Sequence, residues 1–261
     1  MQVIKEYVAE KKEKLKKELA DKKLVMVIVQ VGHVPASDRY VRNKIKDAEE
    51  VGIECDLINL PETISEDDLL VQLHILNSRR DVDGYLVQLP LPKHISEEKV
   101  KLAIAPDKDI DGFHPLSKTT PATPLGIYNY LKDMNYDFVG KNAVVIGRSN
   151  IVGKPMAHLL LKESCNVTVL HSKTKEADKA FYLEHADLIV SAVGKRNIIT
   201  PDYELKPTAT IIDVGINQND EGKLCGDIEQ DLPVAFQSPV PSGVGLLTRM
   251  SVIDNLIELS K

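Results

Sequence analysis

The sequence predicts an α/β protein made of two parallel-sheet lobes that are separated by a cleft. Apolar runs with strand character alternate with segments of helical periodicity along nearly the whole chain, which is typical of parallel sheets joined by right-handed crossovers. One stretch breaks this alternation, because the segment from Pro106 to Pro124 holds four prolines and little apolar periodicity. We take its end as a domain junction, since the boundaries of domains fall in segments of this kind.

The first lobe is predicted to alternate strands with helices. Residues 1–23 carry eight lysines against five acidic residues, and their apolar positions have the spacing of a solvated amphipathic helix. The inward stripe of this helix is predicted to be Ile4, Val8, Leu15 and Leu19. The strands are predicted over Leu24–Val31, Ile53–Leu60 and Tyr85–Leu89. The other helices are predicted from Ser37 to Val51, from Ser65 through Leu76, and over Ser96–Ile104.

Residues that commonly cap helices mark several of these boundaries. Ser37 is predicted to be the N-cap of its helix, and Gly52 is a natural C′ residue just past the end of that helix. Ser65, with Asp68 three residues later, has the pattern of a capping box. Thr123 is predicted to be an N-cap, because Pro124 then occupies the first helical position.

The second lobe is predicted to repeat the alternation. Its helices are predicted from Thr123 to about Met134, from Val152 to Lys162, over Lys175–Glu184 and, at the end of the chain, over Thr248–Ser260. Its strands are predicted over Ala143–Ile146, Val167–Leu170, Leu188–Val193 and Thr210–Val214.

Composition limits the classes of partner that we expect. The formal net charge of -6 gives no electrostatic reason to expect a nucleic acid. No stretch approaches the ~18 consecutive apolar residues of a membrane span, and residues 1–23 lack the apolar run of a signal peptide. The chain is therefore predicted to be cytoplasmic. Cys55, Cys165 and Cys225 are widely spaced, so we predict no disulfide framework and no metal site, with a half-buried thiol at Cys165.

A glycine loop in the second lobe is a candidate dinucleotide site. The strand ending at Ile146 runs directly into Gly147-Arg148-Ser149-Asn150-Ile151-Val152-Gly153-Lys154-Pro155. A glycine at a strand end lets backbone approach a pyrophosphate, and the next helix N-terminus offers free N–H groups. The spacing differs from G-x-G-x-x-G, so an ordinary strand–helix turn remains an alternative.

The end of the next strand indicates which dinucleotide would bind. NAD-binding sheets usually carry an acidic residue there, whereas this strand ends in His171-Ser172-Lys173-Thr174 without a carboxylate. Hydroxyls and cations, including Arg148 from the glycine loop, suit a 2′-phosphate, and NADP is therefore favoured over NAD. A solvated loop lysine is the alternative for Lys173.

Polar residues of the first lobe form a second candidate constellation. Tyr40 and Lys44 lie four residues apart on a predicted helix and so share a face, where a partly desolvated lysine could serve acid–base chemistry. The alternative, favoured by the helix alone, is a solvated lysine on an exposed face. Gln88 lies at the carboxyl end of its strand, where α/β sheets bind ligands, although a core amide is also possible.

Two acids in the interlobe segment complete the candidate residues. Asp109 and Asp111 could in principle bind a metal, but the oxygen-rich spacing of a calcium loop is missing. Hydrogen bonding to an amino-heterocycle or capping of a turn fits them better. For His114 and His171 we expect structural roles, because neither has metal-ligand spacing.

Taken together, these segments resemble the signatures of the bifunctional methylenetetrahydrofolate dehydrogenase/methenyltetrahydrofolate cyclohydrolase family. In the first lobe they are Ser37-x-x-Tyr40-Val41-Arg42-Asn43-Lys44, Leu86-Val87-Gln88-Leu89-Pro90-Leu91-Pro92 and Lys108-Asp109-Ile110-Asp111-Gly112-Phe113-His114-Pro115. In the second lobe they are Val145-Ile146-Gly147-Arg148-Ser149-x-Ile151-Val152-Gly153-x-Pro155, His171-Ser172-x-Thr174 and Ile212-Asp213-Val214-Gly215-Ile216-Asn217. The matches follow the family's order over about residues 30 to 250.

The resemblance implies a role for each matching residue. Lys44 would be the catalytic lysine, held by Gln88, and Asp111 would hydrogen-bond the pterin. Tyr40 would stack on the aminobenzoyl part of the folate. The implied catalytic residues are Lys44, Gln88 and Asp111, and the implied substrate-binding residues are Tyr40, Ser37, Gln88, Asp111 and Gly243. The implied cofactor-binding residues are Gly147, Arg148, Ser149, Gly153, His171, Ser172, Thr174 and Ile216.

The family resemblance also implies a function. It implies oxidation of 5,10-methylenetetrahydrofolate with NADP and hydrolysis of the product to 10-formyltetrahydrofolate, in one-carbon metabolism and purine biosynthesis. The substrate lobe would be residues 1–120, completed by the C-terminal helix 246–261, and the Rossmann-like NADP lobe would be residues 121–245. Members of the family are commonly homodimers. The alternatives are another two-lobe dehydrogenase of the shikimate type, or a catalytically silent folate- or nucleotide-binding protein.

Three segments depart from the family pattern: the closing loop, Pro121-Ala122-Thr123-Pro124 in place of the usual Pro-Cys-Thr-Pro, and the short segment between Pro115 and Pro121. The closing loop usually reads Pro-Gly-Gly-Val-Gly-Pro-Met-Thr, whereas this chain has Pro241-Ser242-Gly243-Val244-Gly245-Leu246-Leu247-Thr248. Ser242 brings a Cβ to a position where glycine is usual, so we expect backbone strain there if its φ is positive.

Overall fold

The computed structural model describes residues 1–261, excluding the side chain of residue 36. Its helices are α1 (Ile4–Glu18), α2 (Pro35–Glu50), α3 (Glu66–Ser78), α4 (Glu97–Ala103), α5 (Ala122–Asp133), α6 (Gly153–Lys162), α7 (Glu176–Glu184) and α8 (Val244–Leu259). Its strands are β1 (Val25–Val31), β2 (Glu54–Leu60), β3 (Gly84–Val87), β4 (Asn142–Ile146), β5 (Asn166–Leu170), β6 (Leu188–Ser191), β7 (Thr210–Asp213), β8 (Asn217–Gln218), β9 (Leu224–Cys225) and β10 (Phe236–Gln237).

The chain divides into two compact units. One unit consists of Ala9–Ala122 and Arg249–Lys261, and the other consists of Met1–Val8 and Thr123–Thr248. Both contain parallel sheets with helical connections, so the predicted α/β class with two parallel-sheet units is confirmed. We call them the lysine unit and the glycine-loop unit, after the candidate site residues Lys44 and Gly147 that they carry.

The lysine unit is built on a three-stranded parallel sheet in the order β2-β1-β3. β1 and β3 are apolar and buried on both faces, as a sheet covered by helices requires. β2 lies at the edge and alternates between exposed and half-buried residues. A core cluster joins β1 and β3 to α3, whose residues Leu69, Leu73 and Leu76 are buried as predicted.

The glycine-loop unit contains a five-stranded parallel sheet in the order β10-β7-β6-β4-β5. The buried face of α6, with Met156 and Leu160, covers it, and a core cluster runs from Val144 through Ile189 to Ile211. β8 and β9 form a separate antiparallel pair. With β10, these two-residue strands were not predicted, because two residues are too few for a periodic signal.

Several caps are confirmed. The hydroxyl oxygen of Ser65 accepts a hydrogen bond from the backbone N–H of Asp68, as a capping residue should. Gly52 has a φ of +87° just past α2. The inward stripe of α1 is also confirmed, since all four of its predicted residues are buried.

Two N-cap predictions were wrong. α2 begins at Pro35, with Val34 as the cap residue, because the fixed φ and missing N–H of proline suit the first helical position. Ser37 therefore lies inside the first turn and is buried. α5 begins at Ala122, whose N–H donates to the Asp111 carbonyl, so Thr123 is helical too.

Other boundaries moved by a few residues. β3 ends at Val87, so Gln88 follows the strand instead of lying within it, although its N–H still donates to the Val29 carbonyl.

Residues 1–8 belong to the glycine-loop unit, although the sequence assigned them to the first lobe. There the Tyr7 hydroxyl donates to Asp133, and the Tyr130 hydroxyl donates to the Gln2 carbonyl. Cys165 is fully buried instead of half-buried, and its thiol donates to the Phe138 carbonyl.

Candidate active site

Lys44 is the most unusual residue of the lysine unit, because its side chain is buried although lysines are mostly exposed. Only 5% of its surface is accessible. It lies one helical turn after Tyr40 on α2, and its Nζ atom lies 5.3 Å from the centroid of the Tyr40 ring. The helix pattern alone favoured a solvated lysine, and the structure decides against that alternative.

Asp111 provides the nearest carboxylate to the Lys44 amine. Its Oδ1 lies 3.8 Å from Lys44 Nζ, and its side chain is also buried. The segment that carries it runs parallel to β3, where the Tyr85 N–H donates to the Lys108 carbonyl at 2.8 Å. An isolated parallel bridge between Tyr85 and Asp109 therefore places this segment beside β3, two residues before Asp111.

Burial sets the electrostatics of this pair. It lowers the pKa of Lys44 below its ordinary value, and the Asp111 carboxylate opposes that shift only in part. Burial likewise raises the pKa of Asp111, against the effects of Lys44 and Lys101. Each group is thus held with its charged form disfavoured, which is the condition for moving a proton near neutral pH.

Gln88 follows β3 at the carboxyl end of the sheet. Its Nε2 donates to the carbonyl of Leu89 at 2.7 Å, which fixes the orientation of the amide. Its Oε1 is buried and has no hydrogen-bond partner among the described residues. A buried acceptor without a donor is costly, so this oxygen is available to a ligand or to the amine of Lys44.

Asp109 has a different role from Asp111, although the two are only two residues apart. Its carboxylate accepts hydrogen bonds from the backbone N–H groups of Gly112 (2.9 Å) and His114 (2.8 Å). Of the two alternatives for these acids, capping of a turn describes Asp109. The side chain of Asp111 instead faces Lys44.

Sequence reasoning missed two charged residues near Lys44. Asp47 is one turn after Lys44 on α2, it is buried, and it pairs with both Lys12 and Arg249. Arg249 lies near enough to Lys44 that its charge helps to lower the pKa of that amine. The helical spacing of Lys44 and Asp47 was visible in the sequence, but the approach of Arg249 from α8 was not.

The predicted glycine loop of the second unit packs tightly against neighbouring backbone, as its glycines allow. Gly147 follows β4 with a φ of +115°, and a Cβ there would lie 2.5 Å from the Ala192 carbonyl oxygen. A Cβ on Gly153 would overlap the Gly147 carbonyl. The Ser149 hydroxyl oxygen accepts hydrogen bonds from the N–H groups of Val152 and Gly153.

The turn after β5 contains the other predicted cofactor residues. Thr174 closes this turn on His171, because the Thr174 hydroxyl accepts the His171 N–H and the His171 carbonyl accepts the Thr174 N–H. Ser172 and Lys173 are exposed on it. Ile216 follows β7, and 68% of its surface is accessible.

The closing loop combines a tight glycine with a strained serine. Gly243 is buried, and a Cβ there would overlap the Pro239 carbonyl. Ser242 has a φ of +74°, so the condition under which backbone strain was expected at this non-glycine residue is met. Both residues belong to the glycine-loop unit.

Fold and side chains together define an α/β protein of the dehydrogenase type, with a buried lysine–carboxylate pair in its other unit. The family model for the tetrahydrofolate dehydrogenase/cyclohydrolase catalytic domain matches residues 1–111. The model for the family's NAD(P)-binding domain matches residues 121–261. The chain belongs to the tetrahydrofolate dehydrogenase/cyclohydrolase family and is a bifunctional enzyme with a dehydrogenase and a cyclohydrolase activity.

Individual relatives agree with this assignment. The chain is 48% identical to the bifunctional protein FolD of Polaromonas sp. (strain JS666 / ATCC BAA-500), with 89% of this chain and 86% of the relative covered. It is similar to the crystal structure of the bifunctional enzyme FolD from Campylobacter jejuni, with a TM-score of 0.93, 38% identity, and 100% and 98% of the two chains covered.

A third relative was solved with a cofactor. The structure of the Trypanosoma brucei enzyme, complexed with NADP cofactor and inhibitor, matches with a TM-score of 0.86 at 29% identity and covers 98% of this chain and 93% of that one. The resemblance found in the sequence is thus confirmed, and the shikimate-type alternative is excluded.

Proposed function

We propose that this chain oxidises 5,10-methylenetetrahydrofolate to the 5,10-methenyl cation with NADP, and then hydrolyses the cation to 10-formyltetrahydrofolate. Family membership supports both steps. The observation that carries the assignment within the structure is the buried pair of Lys44 and Asp111, with the Tyr40 ring beside the amine.

The glycine-loop unit fits a dinucleotide such as NADP. Gly147 and Gly153 let the loop pack tightly against backbone carbonyls that a Cβ would overlap, and the N-terminus of α6 follows the loop directly. Hydroxyl groups come from Ser149, Ser172 and Thr174, and a ring nitrogen comes from His171. Cations come from Arg148 and Lys173, and an apolar contact comes from the exposed Ile216. The 171–174 turn contains no carboxylate, which favours a 2′-phosphate. NADP, when bound, supplies the hydride acceptor for the first step.

Lys44 acts in the hydrolysis. Water adds to the carbon between N5 and N10 of the methenyl cation and loses a proton, which the neutral amine of Lys44 accepts. The bond from that carbon to N5 then breaks as N5 gains a proton and the formyl group remains on N10. A lowered pKa keeps a useful fraction of the Lys44 amine neutral, and the unpaired Oε1 of Gln88 can accept a hydrogen bond from it.

The remaining substrate residues bind and orient the folate. Asp111 offers carboxylate oxygens to the amino-heterocycle of the pterin, and Tyr40 offers a ring face for the aminobenzoyl group. Ser37 lies on the same face of α2, two turns before Lys44. Gly243 stays a predicted substrate residue.

Assays of both steps on one purified sample test this function. Formation of NADPH from methylenetetrahydrofolate reports the dehydrogenase, and loss of absorbance by added methenyltetrahydrofolate reports the cyclohydrolase. A protein that binds folate and NADP but catalyses neither step would support the silent-binding alternative.

We also propose the wider setting of the enzyme. The lysine unit, Ala9–Ala122 with Arg249–Lys261, is the folate-binding catalytic domain, and the glycine-loop unit is the NADP domain. This division differs from the predicted one, residues 1–120 with 246–261 and residues 121–245, mainly in residues 1–8. The protein acts as a cytoplasmic homodimer in one-carbon metabolism and purine biosynthesis, without nucleic acid or membrane partners. The edge position of β2, with its half-exposed Leu57, supports self-association, which sedimentation would test. In the described part of the chain, no helix has the length and apolarity to cross a bilayer.

A further inference from the structure

Asn255 on α8 ties together the segment that carries Asp111. The Asn255 side chain is 2% exposed, and its Nδ2 donates to the carbonyl oxygens of Ile110 and Thr120, at 2.9 Å each. Ile110 directly precedes Asp111, and Thr120 lies at the far end of the loop. One amide therefore holds both ends of this loop at once.

The loop between these two carbonyls has little freedom of its own. The carbonyl of Asp111 accepts a hydrogen bond from the Ala122 N–H at 3.1 Å. Gly112 has a φ of +71°, and a Cβ there would lie 2.7 Å from the Thr120 carbonyl oxygen. The two ends of the loop are thus packed against each other, and the Asn255 amide is the side-chain contact that anchors both ends to α8.

We propose that Asn255 is a positioning residue of the folate site, which sets the place of the Asp111 carboxylate relative to Lys44. The inference rests on the proposed role of Asp111 in binding the pterin. Without the two donors of Asn255, the Ile110 and Thr120 carbonyls lose their bonds and the backbone on either side of Asp111 relaxes. The carboxylate then leaves its position 3.8 Å from the amine, and small displacements of this kind reduce rates severalfold or more.

Asn77 provides a matched control within the same unit. It is also an asparagine that joins separate segments, because its Nδ2 donates to the Ala103 carbonyl and its Oδ1 accepts from the Ala105 N–H and the Tyr85 hydroxyl. Asn77→Ala should destabilise the unit comparably without loosening either end of the Asp111 loop. A merely structural role for Asn255 predicts the same kinetics for both variants.

The experiment is a double-mutant cycle in the full-length protein. Asn255→Ala should raise the folate KM of the cyclohydrolase step about tenfold and shift the pH profile of kcat, whereas Asn77→Ala should do neither. In the Asp111→Asn background, Asn255→Ala should add less than about a twofold change. Circular dichroism and the midpoint of thermal unfolding report that each variant is folded, and Asn255→Ser, which keeps one donor, replaces Asn255→Ala if that variant fails to fold.

The outcomes separate this inference from the proposed function. Suppose that Asp111→Asn impairs folate use, and that Asn255→Ala raises the folate KM by the same factor in the Asp111→Asn background as in the unaltered protein. Asn255 then does not act through Asp111, and only the positioning role is overturned. Equal kinetic losses in Asn77→Ala and Asn255→Ala would overturn it as well. If Asp111→Asn leaves folate use unchanged, the assigned role of Asp111 and the inference both fall.

Discussion

The amine of Lys44 lies 3.8 Å from the carboxylate of Asp111, and both side chains are buried. Removing two such groups from water costs more than a contact at this distance returns, so the pair is a poor source of stability. Its value is chemical, since burial brings the pKa of the amine down and the pKa of the carboxyl up. Sites that move protons are where perturbed pKa values cluster.

Replacing Lys44 by methionine tests the proton-transfer role directly. Lys44→Met keeps the length of the side chain but removes the amine, so hydrolysis of methenyltetrahydrofolate should fall by about 10²–10⁴-fold. NADP should still bind, and the dehydrogenase step should partly survive, because hydride transfer depends more on positioning. Lys46→Met is the matched control, since Lys46 is exposed on the same helix and pairs only with Glu50 in the described contacts. Near-normal hydrolysis by folded Lys44→Met would overturn the assignment.

The charge of Arg249 should control the pH profile of the cyclohydrolase. The groups that act on the Lys44 amine are Asp111 and Cys55, which raise its pKa, and Arg249, which lowers it alongside burial. Arg249→Met removes a positive charge and therefore raises the pKa of Lys44. If the neutral amine is the active form, the rising limb of the rate moves to higher pH.

Lys12 supplies the control for this experiment. It is the other cation that pairs with Asp47, so Lys12→Met also leaves that carboxylate with one partner. Lys12 is not among the charges that act on the pKa of Lys44, so Lys12→Met should leave the rising limb of the pH–rate profile at the same pH. A shift to lower pH in Arg249→Met, or equal shifts in both variants, would contradict the electrostatic role.

Tyr40 should contribute contact area to the folate. Tyr40→Ala is expected to weaken folate binding by roughly 1–3 kcal/mol, on the scale of losing a stacked aromatic ring. Tyr40→Phe keeps the ring and should retain most of the affinity. A titration in which Tyr40→Ala binds folate normally would assign the ring to packing against Lys44 instead.

Arg148 should distinguish NADP from NAD. Arg148→Ala is expected to raise the KM for NADP at least tenfold, because a charge-assisted contact to the 2′-phosphate is lost, and to leave the KM for NAD nearly unchanged. Lys154→Ala is the control, since Lys154 is exposed nearby and contacts Asn150. Equal losses for both cofactors would remove the 2′-phosphate role from Arg148.

Local patterns predicted the fold well, and long-range contacts explain what they missed. Runs rich in β-branched residues, such as Val25–Val31, identify buried parallel strands from a few neighbouring residues. The burial of Lys44 depends on Asp111 and Arg249, which are distant in the sequence, so its helix alone suggested an exposed lysine. α8 begins at Val244, four residues earlier than predicted. The prediction missed this first turn because the glycines of the closing loop have a low helix propensity.

Ser242 should limit the stability of the closing loop. Its φ of +74° costs a residue with a Cβ roughly 1–2 kcal/mol, whereas glycine adopts this conformation freely. Glycine also makes the unfolded chain more flexible, which offsets roughly 0.4–1 kcal/mol. Ser242→Gly should therefore raise the free energy of unfolding by about 0.5–1 kcal/mol, measured by chemical denaturation. Ser164, with a φ of +64°, should respond in the same direction. Ser78→Gly is the control, because Ser78 lies in the last turn of α3 and glycine there should lower the free energy of unfolding. A loss of stability in Ser242→Gly would contradict the prediction and show that contacts of the serine outweigh its backbone strain.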